Sequence, residues 1–237
     1  MEQAALRIAT WAAEAIEARG RFTIVLSGGS TPRALFALLA SAAFVSKIDW
    51  SRADIFWGDE RCVPPEHPDS NYRMARESLL DPIRIDPAHV HRMRGEELPE
   101  RGAAAYEEHL HKFFGIAPGG PPPRFDILLL GMGADGHTAS LFPGTPALEE
   151  VERWVVPNRA EASGMPRLTM TFPVLNAAAN VLFLVTGADK AERVKQVLEH
   201  ASGAGSGALP ASKVSPTHGQ VEWMLDSAAA SRLETVR

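Results

Sequence analysis

The heptapeptide "GMGADGH" at positions 131–137 could carry two kinds of chemistry. Gly131, Gly133 and Gly136 spell G-x-G-x-x-G, a spacing that cradles the pyrophosphate of a dinucleotide at a helix start. Asp135 and His137, on the same loop, could instead perform acid–base work. The flanking sequence separates the two. The dinucleotide fingerprint needs a long helix after its third glycine and usually belongs to the first βαβ unit. Here Pro143 and Gly144 stop any helix within two turns, and two strand-like runs come earlier in the chain. The acid–base reading fits better. His137 is expected beside the start of a short helix, "TASLF", whose positive end would keep an imidazole neutral. Asp135 would orient the ring or share its proton. A capping aspartate next to a hydrogen-bonded loop histidine is the plainer alternative.

Three other stretches hold groups of the same kind. In "LSGGSTP", Gly28 and Gly29 let backbone approach a ligand, and Ser30 and Thr31 offer hydroxyls. Thr31 is expected to cap a helix beginning at Pro32, where free N–H groups and the helix dipole favour an anion. No G-K-[ST] follows, so this is not a Walker A loop. A tight strand-to-helix turn explains the same residues. In "GDERC", Asp59 and Arg61 are placed to face a cleft while Glu60 faces protein, and a surface ion-pair cluster is the alternative. Lys190 lies in the first turn after "TGADK" begins, a poor place for a lysine unless an anion is near. Arg167, at the start of "RLTMTF", can supply a guanidinium to a phosphate.

Some signals carry less. His89 and His91 share a strand face but have no carboxylate or cysteine close in sequence to complete a metal site. His109 and His111, two apart on a helix, face different ways. Ser27 lacks the G-x-S-x-G elbow of a serine hydrolase. Cys62 follows Arg61, which could lower its pKa, although a structural role suits a lone cysteine better.

These loops need strands to position them. "RFTIVL" (21–26), "ADIFW" (53–57), "FDILLL" (125–130) and "NVLFLVTG" (180–187) each end in one of the four loops that concentrate the functional groups. "FDILLL" is apolar at nearly every position, as in a parallel sheet covered on both faces. Helical runs alternate with the strands: an amphipathic N-terminal segment, "RALFALLA", "NYRMARESLL", "AAAYEEHLHKFF" ending at Gly115, a short helix opened by Pro173, and "ADKAERVKQVLEH". "RLTMTF" (167–172) and "VEWML" (221–225) are further strands, the latter before a final helix, and "ASGAGSGALP" is a linker-like loop. Alternation of this kind predicts a three-layer, Rossmann-like α/β fold with a mainly parallel sheet flanked by helices, as one domain over 1–237. In open parallel sheets ligands sit at the carboxyl ends of the strands, where the four loops converge.

The bulk properties agree. The chain has 237 residues, 45% hydrophobic and 22% charged, with a net charge of −5. No basic block points to nucleic acid, and no run approaches a membrane span. The N-terminus has no secretory-type apolar core, and the single cysteine excludes an internal disulfide, so a cytoplasmic protein is expected. A monomer or small homo-oligomer is expected.

With these motifs in hand, the chain resembles the 6-phosphogluconolactonase family of the short α/β type. The matching pieces are "LSGGSTP", "WGDERCVPPEHPDSNY", "FDILLLGMGADGHTASLFPGT", "MPRLTMT" and "VTGADK", in the family's order and over most of the chain. The resemblance implies hydrolysis of 6-phosphoglucono-1,5-lactone in the pentose phosphate pathway, with neither metal nor organic cofactor. It implies that Gly28, Gly29, Ser30 and Thr31 line the phosphate pocket. It implies further that Arg61, Arg167 and Lys190 bind the ligand, that His137 is the general base with Asp135 beside it, that Asp59 is an active-site acid, and that Asn71 supports the loop or touches sugar hydroxyls. The related glucosamine-6-phosphate deaminases carry a carboxylate shortly after the histidine. Here "DGHTASLFP" has none before Glu149, and Arg61 stands where their motif ends in tyrosine. A non-catalytic sugar-phosphate sensor is the remaining alternative; its usual DNA-binding domain has no room before a first strand near residue 21.

Overall fold

The computed structural model describes residues 1–159, 164–199 and 208–234. Helix α1 (Glu2–Arg19) buries Ala4, Ile8, Trp11, Ala12 and Ala15, the one-sided spacing of an amphipathic helix, and stops at Gly20 in the left-handed region (φ 76°). It packs on β1 (Phe22–Leu26) and β5 (Ile127–Leu130). Both strands are buried at every position, as continuous apolar runs covered on two faces must be.

The remaining strands of the main sheet are β2 (Ala53–Trp57), β4 (Val90–His91), β8 (Asn180–Val185) and β9 (Gln220–Leu225). Their order is β4-β2-β1-β5-β8-β9, and every pairing is parallel. The chain runs outward from β1 to β2 and β4, then returns across β1 to β5 and on to β8 and β9. The gap beyond β1 and β5 is therefore the switch point at which such sheets bind ligands. Helices α2 (Ser30–Leu39), α5 (Pro99–Phe114) and α7 (Ala191–Glu199) fall where helical runs were expected. "NYRMARESLL" is helical too, as α3 (Asn71–Ala75), a π-helical turn (Arg76–Leu80) and the short α4 (Asp81–Ile83). Residue Pro173 sits in the first turn of α6 (Phe172–Leu175).

A second, antiparallel sheet was not legible beforehand. It joins β3 (Asp59–Arg61), β7 (Pro166–Met170) and β6 (Val155–Arg159) in the order β3-β7-β6. The "GDER" segment is thus a strand rather than a loop. Pro157 lies mid-β6, and the N–H groups of Trp154 and Val155 both donate to Glu107 of α5 at 3.0 Å.

Two expected helices do not form. Residues 138–142 make a turn closed by a bridge between Thr138 and Leu141, with Ala139 at φ 48°. Pro143 and a loop drawn into hydrogen bonds with three strands leave no room for a helical register. Residues 226–232 after β9 form turns. Of the linker-like stretch 201–210, residues 201–207 lie outside the described residues, as do 235–237, and Pro210 opens a short 3-10 turn.

Candidate functional site

The first wall of the site is the β1–α2 junction. Gly29 has φ 108°, a conformation that favours glycine, and is the N-cap of α2 with no side-chain cap. Thr31 does not cap the helix, because α2 starts one residue before it; its Oγ1 lies 2.7 Å from Thr186 Oγ1 instead. The N–H groups of Ser30 and Thr31 have no intrahelical acceptors, and Pro32 has no N–H, so the helix end offers donors to an anion.

Gly28 is needed for a different reason. A Cβ there would lie 1.9 Å from Oδ1 of Asn71. Asn71 in turn donates through Nδ2 to the Asp59 carbonyl at 2.9 Å. Its helix, α3, is held at its start by the buried carboxyl of Glu60. Glu60 accepts from the N–H groups of Arg61, Asn71 and Tyr72 at 2.7, 2.7 and 2.8 Å, and from the Ser70 hydroxyl at 3.1 Å. Burial raises its pKa, and the backbone donors pull it back. Glu60 therefore faces protein, as alternation along a strand requires, and Asp59 and Arg61 face the crevice.

The second wall is cationic. Arg61 and Arg167 are direct partners in the β3–β7 register. Arg61 Nη1 donates to the Asp69 carbonyl at 2.6 Å, yet Nε of both arginines is buried without a partner among the described residues. Burial first, and the Arg61 charge second, push the Arg167 guanidinium below the usual arginine range. Two like charges in a partly dry place are costly unless an anion completes them. Lys190 follows β8 and has Asp189 at 2.6 Å.

The third wall is the "GMGADGH" loop. Gly133 makes room for the histidine: a Cβ there would lie 2.1 Å from His137 Nδ1, and the Gly133 N–H donates to the His137 carbonyl at 2.9 Å. Asp135 Oδ1 accepts from the His137 N–H at 3.1 Å and lies 2.6 Å from Nδ1. The His137 hydrogen bond holds the Asp135 carboxyl down at about 2. An ionised carboxylate only accepts, so Nδ1 is the ring nitrogen that donates to it, and Nε2 is the one left available to a ligand. With no helix behind His137, the dipole argument for a neutral ring has nothing to rest on, and Asp135 sets the tautomer instead. Phe142 packs 4.6 Å from the ring, which is 31% exposed and so open to a ligand.

These walls enclose a cavity of about 310 Å³ at the switch point. Ten of the eleven residues that the resemblance singles out line it: Gly28, Gly29, Ser30, Thr31, Asp59, Arg61, Asn71, His137, Arg167 and Lys190. Asp135 stands behind His137. Sequence reasoning missed Ser140, Asn158, Thr169 and Thr186, whose polar atoms brace the site from neighbouring strands and loops. Only the closeness of Ser140 to His137 in "DGHTAS" could have hinted at it.

Of the discounted groups, Ser27 lines the cavity, while the histidines lie elsewhere. His89 Nδ1 and His91 Nε2 both meet Asp54 Oδ1, at 3.0 and 3.2 Å, so a carboxylate distant in sequence does join them. His91 Nδ1 is 2.9 Å from His109 Nε2, while His111 stacks on Trp154. Among the described residues, no cluster of three or more His, Cys, Asp or Glu is arranged to hold a metal. Cys62 has the opposite shift to the one Arg61 suggested: burial pushes its thiol up to about 11.

The fold and crevice define an α/β protein with a cavity lined by cations and an imidazole at the switch point of a parallel sheet. The family described as glucosamine-6-phosphate isomerases/6-phosphogluconolactonase matches residues 1–223, and the chain belongs to it. A 6-phosphogluconolactonase of Nostoc sp. is 44% identical over 92% of this chain and 88% of its own length. One of Synechocystis sp. is 42% identical over 98% and 93%. The solved 6-phosphogluconolactonase of Trypanosoma brucei superposes with a TM-score of 0.83 at 30% identity, covering 98% of this chain and 94% of that one. That of Thermotoga maritima gives 0.79 at 29%, covering 94% of each.

Proposed function

We propose that the cavity opens the ring of 6-phosphoglucono-1,5-lactone, with His137 as the base that activates water. The activity is that of a 6-phosphogluconolactonase, shared with relatives that match nearly the whole chain. One observation carries the mechanism: an Asp-oriented imidazole and a cluster of cations line the same hexose-sized cavity.

The substrate phosphate is gripped by Arg167, Lys190 and the donor end of α2, with Arg61 completing the positive wall. Asp189 releases Lys190 to the stronger anion. The phosphate does not react; its binding energy fixes the ring so that the carbonyl meets the base. Water attacks the carbonyl carbon as His137 Nε2 takes its proton. Negative charge builds on the carbonyl oxygen, and the surrounding cations and N–H groups stabilise it. The imidazolium, held by Asp135, then returns a proton to the departing ring oxygen. Asp59 offers an acceptor to a sugar hydroxyl, and Asn71 supports the loop. No step calls for a metal or organic cofactor.

The isomerase branch of the family fits less well, because no carboxylate follows His137 before Glu149. We place the enzyme in the cytoplasm as a monomer or small homo-oligomer. Its single cysteine suits a reducing compartment, and no helix among the described residues is long and apolar enough to cross a membrane.

The test is lactone decay followed beside 6-phosphogluconate binding. His137→Ala should bind the product as wild type does and lose roughly 100-fold or more in hydrolysis. A variant hydrolysing at the wild-type rate removes His137 from the mechanism. Wild-type protein with no effect on the lactone, while binding the product, leaves the sensor reading.

A further inference from the structure

Ser140 is fully buried, and each of its three polar groups reaches a different strand of the small sheet. Its hydroxyl donates to Asp59 Oδ2 on β3 at 2.6 Å. Its backbone N–H donates to Thr169 Oγ1 on β7 at 3.2 Å. Its carbonyl accepts from Asn158 Nδ2 on β6 at 2.7 Å. The residue is three places from His137, and β3 and β7 are the strands that carry Arg61 and Arg167.

We propose that Ser140 is a positioning residue that locks the His137 loop onto the small sheet and so sets where the base stands relative to the cationic wall. The inference rests on His137 being the base. The other polar contacts of the loop do not reach the small sheet: Thr138 Oγ1 donates to the Gly131 carbonyl, Gly133 and His137 close on each other, and the Gly136 and Ala134 carbonyls accept from the Ala211 N–H at 3.1 Å and from Arg193 Nε at 3.4 Å. They shape the loop without referring it to the sheet. Ala139, between His137 and Ser140, sits at φ 48°, a conformation a non-glycine residue holds only when its surroundings impose it. The Ser140 bonds are those surroundings. Without the hydroxyl, an oxygen of buried Asp59 loses its donor, and both the carboxylate and the loop relax. Displacing a base by about 1 Å can cost on the order of 100-fold in rate.

The experiment measures kcat and KM for the lactone and Kd for 6-phosphogluconate in wild type, Ser140→Ala and Asn158→Ala. Asn158 is half-buried, so its variant is the safer one to fold. Ser140→Ala should lose about tenfold or more in kcat, with KM and Kd within about twofold. Asn158→Ala should show the same split, smaller in size. A purely structural role would lower the melting temperature and leave kcat of the folded protein intact. The inference is overturned if folded Ser140→Ala keeps kcat within about twofold, or if KM and Kd rise while kcat holds. If Ser140→Ala does not fold, Asn158→Ala decides by the same criteria. Active wild type beside an unimpaired Ser140→Ala sinks this inference alone. Wild type that leaves the lactone untouched sinks the functional reading, and this inference with it.

Discussion

Arg61 and Arg167 stand opposite each other across an antiparallel strand pair, each with a buried Nε that has no partner among the described residues. Like charges directly opposite destabilise a sheet, so this pair costs stability in the free protein. An anionic ligand reverses the sign. Arg167→Ala should therefore weaken 6-phosphogluconate binding by roughly 10- to 100-fold, the worth of a hydrogen bond to a charged group, while raising or preserving the melting temperature. Titration calorimetry and a thermal melt check both halves. Unchanged affinity would remove Arg167 from the phosphate grip.

Gly133 makes a sharper prediction than its place in a glycine motif suggests. An added methyl would lie 2.1 Å from Nδ1 and 2.7 Å from the Asp135 carboxylate. Gly133→Ala must push the pair apart, and kcat should fall by about 100-fold with product affinity little changed. Far-UV circular dichroism should stay native. Wild-type turnover in this variant would mean that the His137–Asp135 geometry is not needed.

Asp135→Asn addresses the tautomer. An amide can donate to Nδ1 as well as accept, which lets the proton settle on Nε2 and fills the basic lone pair. Turnover should drop by about 100-fold or more. Asp135 also has a signature in stability. Its folded pKa, about 2, lies below the ordinary 3.8. Its contribution is thus present above 3.8 and lost as pH falls through about 2, and denaturation midpoints of the Asn variant should lack that component.

A second pH effect lies at the other side of β2. Burial lowers the pKa of His91, and Asp54 opposes it; His89 and Arg21 add repulsion. His109 is lowered by burial and by His91, Lys112 and Arg94. A folded pKa below the ordinary 6.5 means the unfolded chain binds protons first. Stability is therefore full above about 6.5 and falls as pH drops through and below it. Urea midpoints should decline from about pH 7.5 to about pH 5.5 in wild type and decline less in His91→Gln. Equal slopes would show that His91 contributes no linkage.

The parallel sheet and three of the four expected loops at its edge were legible because fully buried strands leave unbroken apolar runs, as in "ILLL", and the loops interrupt them with glycine; the fourth, "GDER", is a strand. The small sheet was hidden. β3 is three residues of charge, Asp59, Glu60 and Arg61, and becomes a strand only because β7 pairs with it and α3 settles on Glu60. The same partnership brings Arg61 to Arg167 across more than a hundred residues. The helix expected after His137 failed because Ser140 spends its polar groups on three strands, and Thr138 its hydroxyl on the Gly131 carbonyl, instead of a helical turn. Asp54 escaped notice as a partner of His89 and His91 because only the β2–β4 pairing brings them together.

The outer strand of the small sheet is unusually poor in spare donors. Pro157 has no N–H, and its partner Leu168 shares the parity of Met170, whose N–H turns inward to Gly58, so the proline nitrogen faces away from the sheet. The next outward N–H, that of Val155, is already taken by Glu107. At the far rim of the main sheet, β4 is two residues long. Neither of these two rims is a template on which the backbone of another copy could zip, whereas the opposite rim of the main sheet, β9, is six residues long.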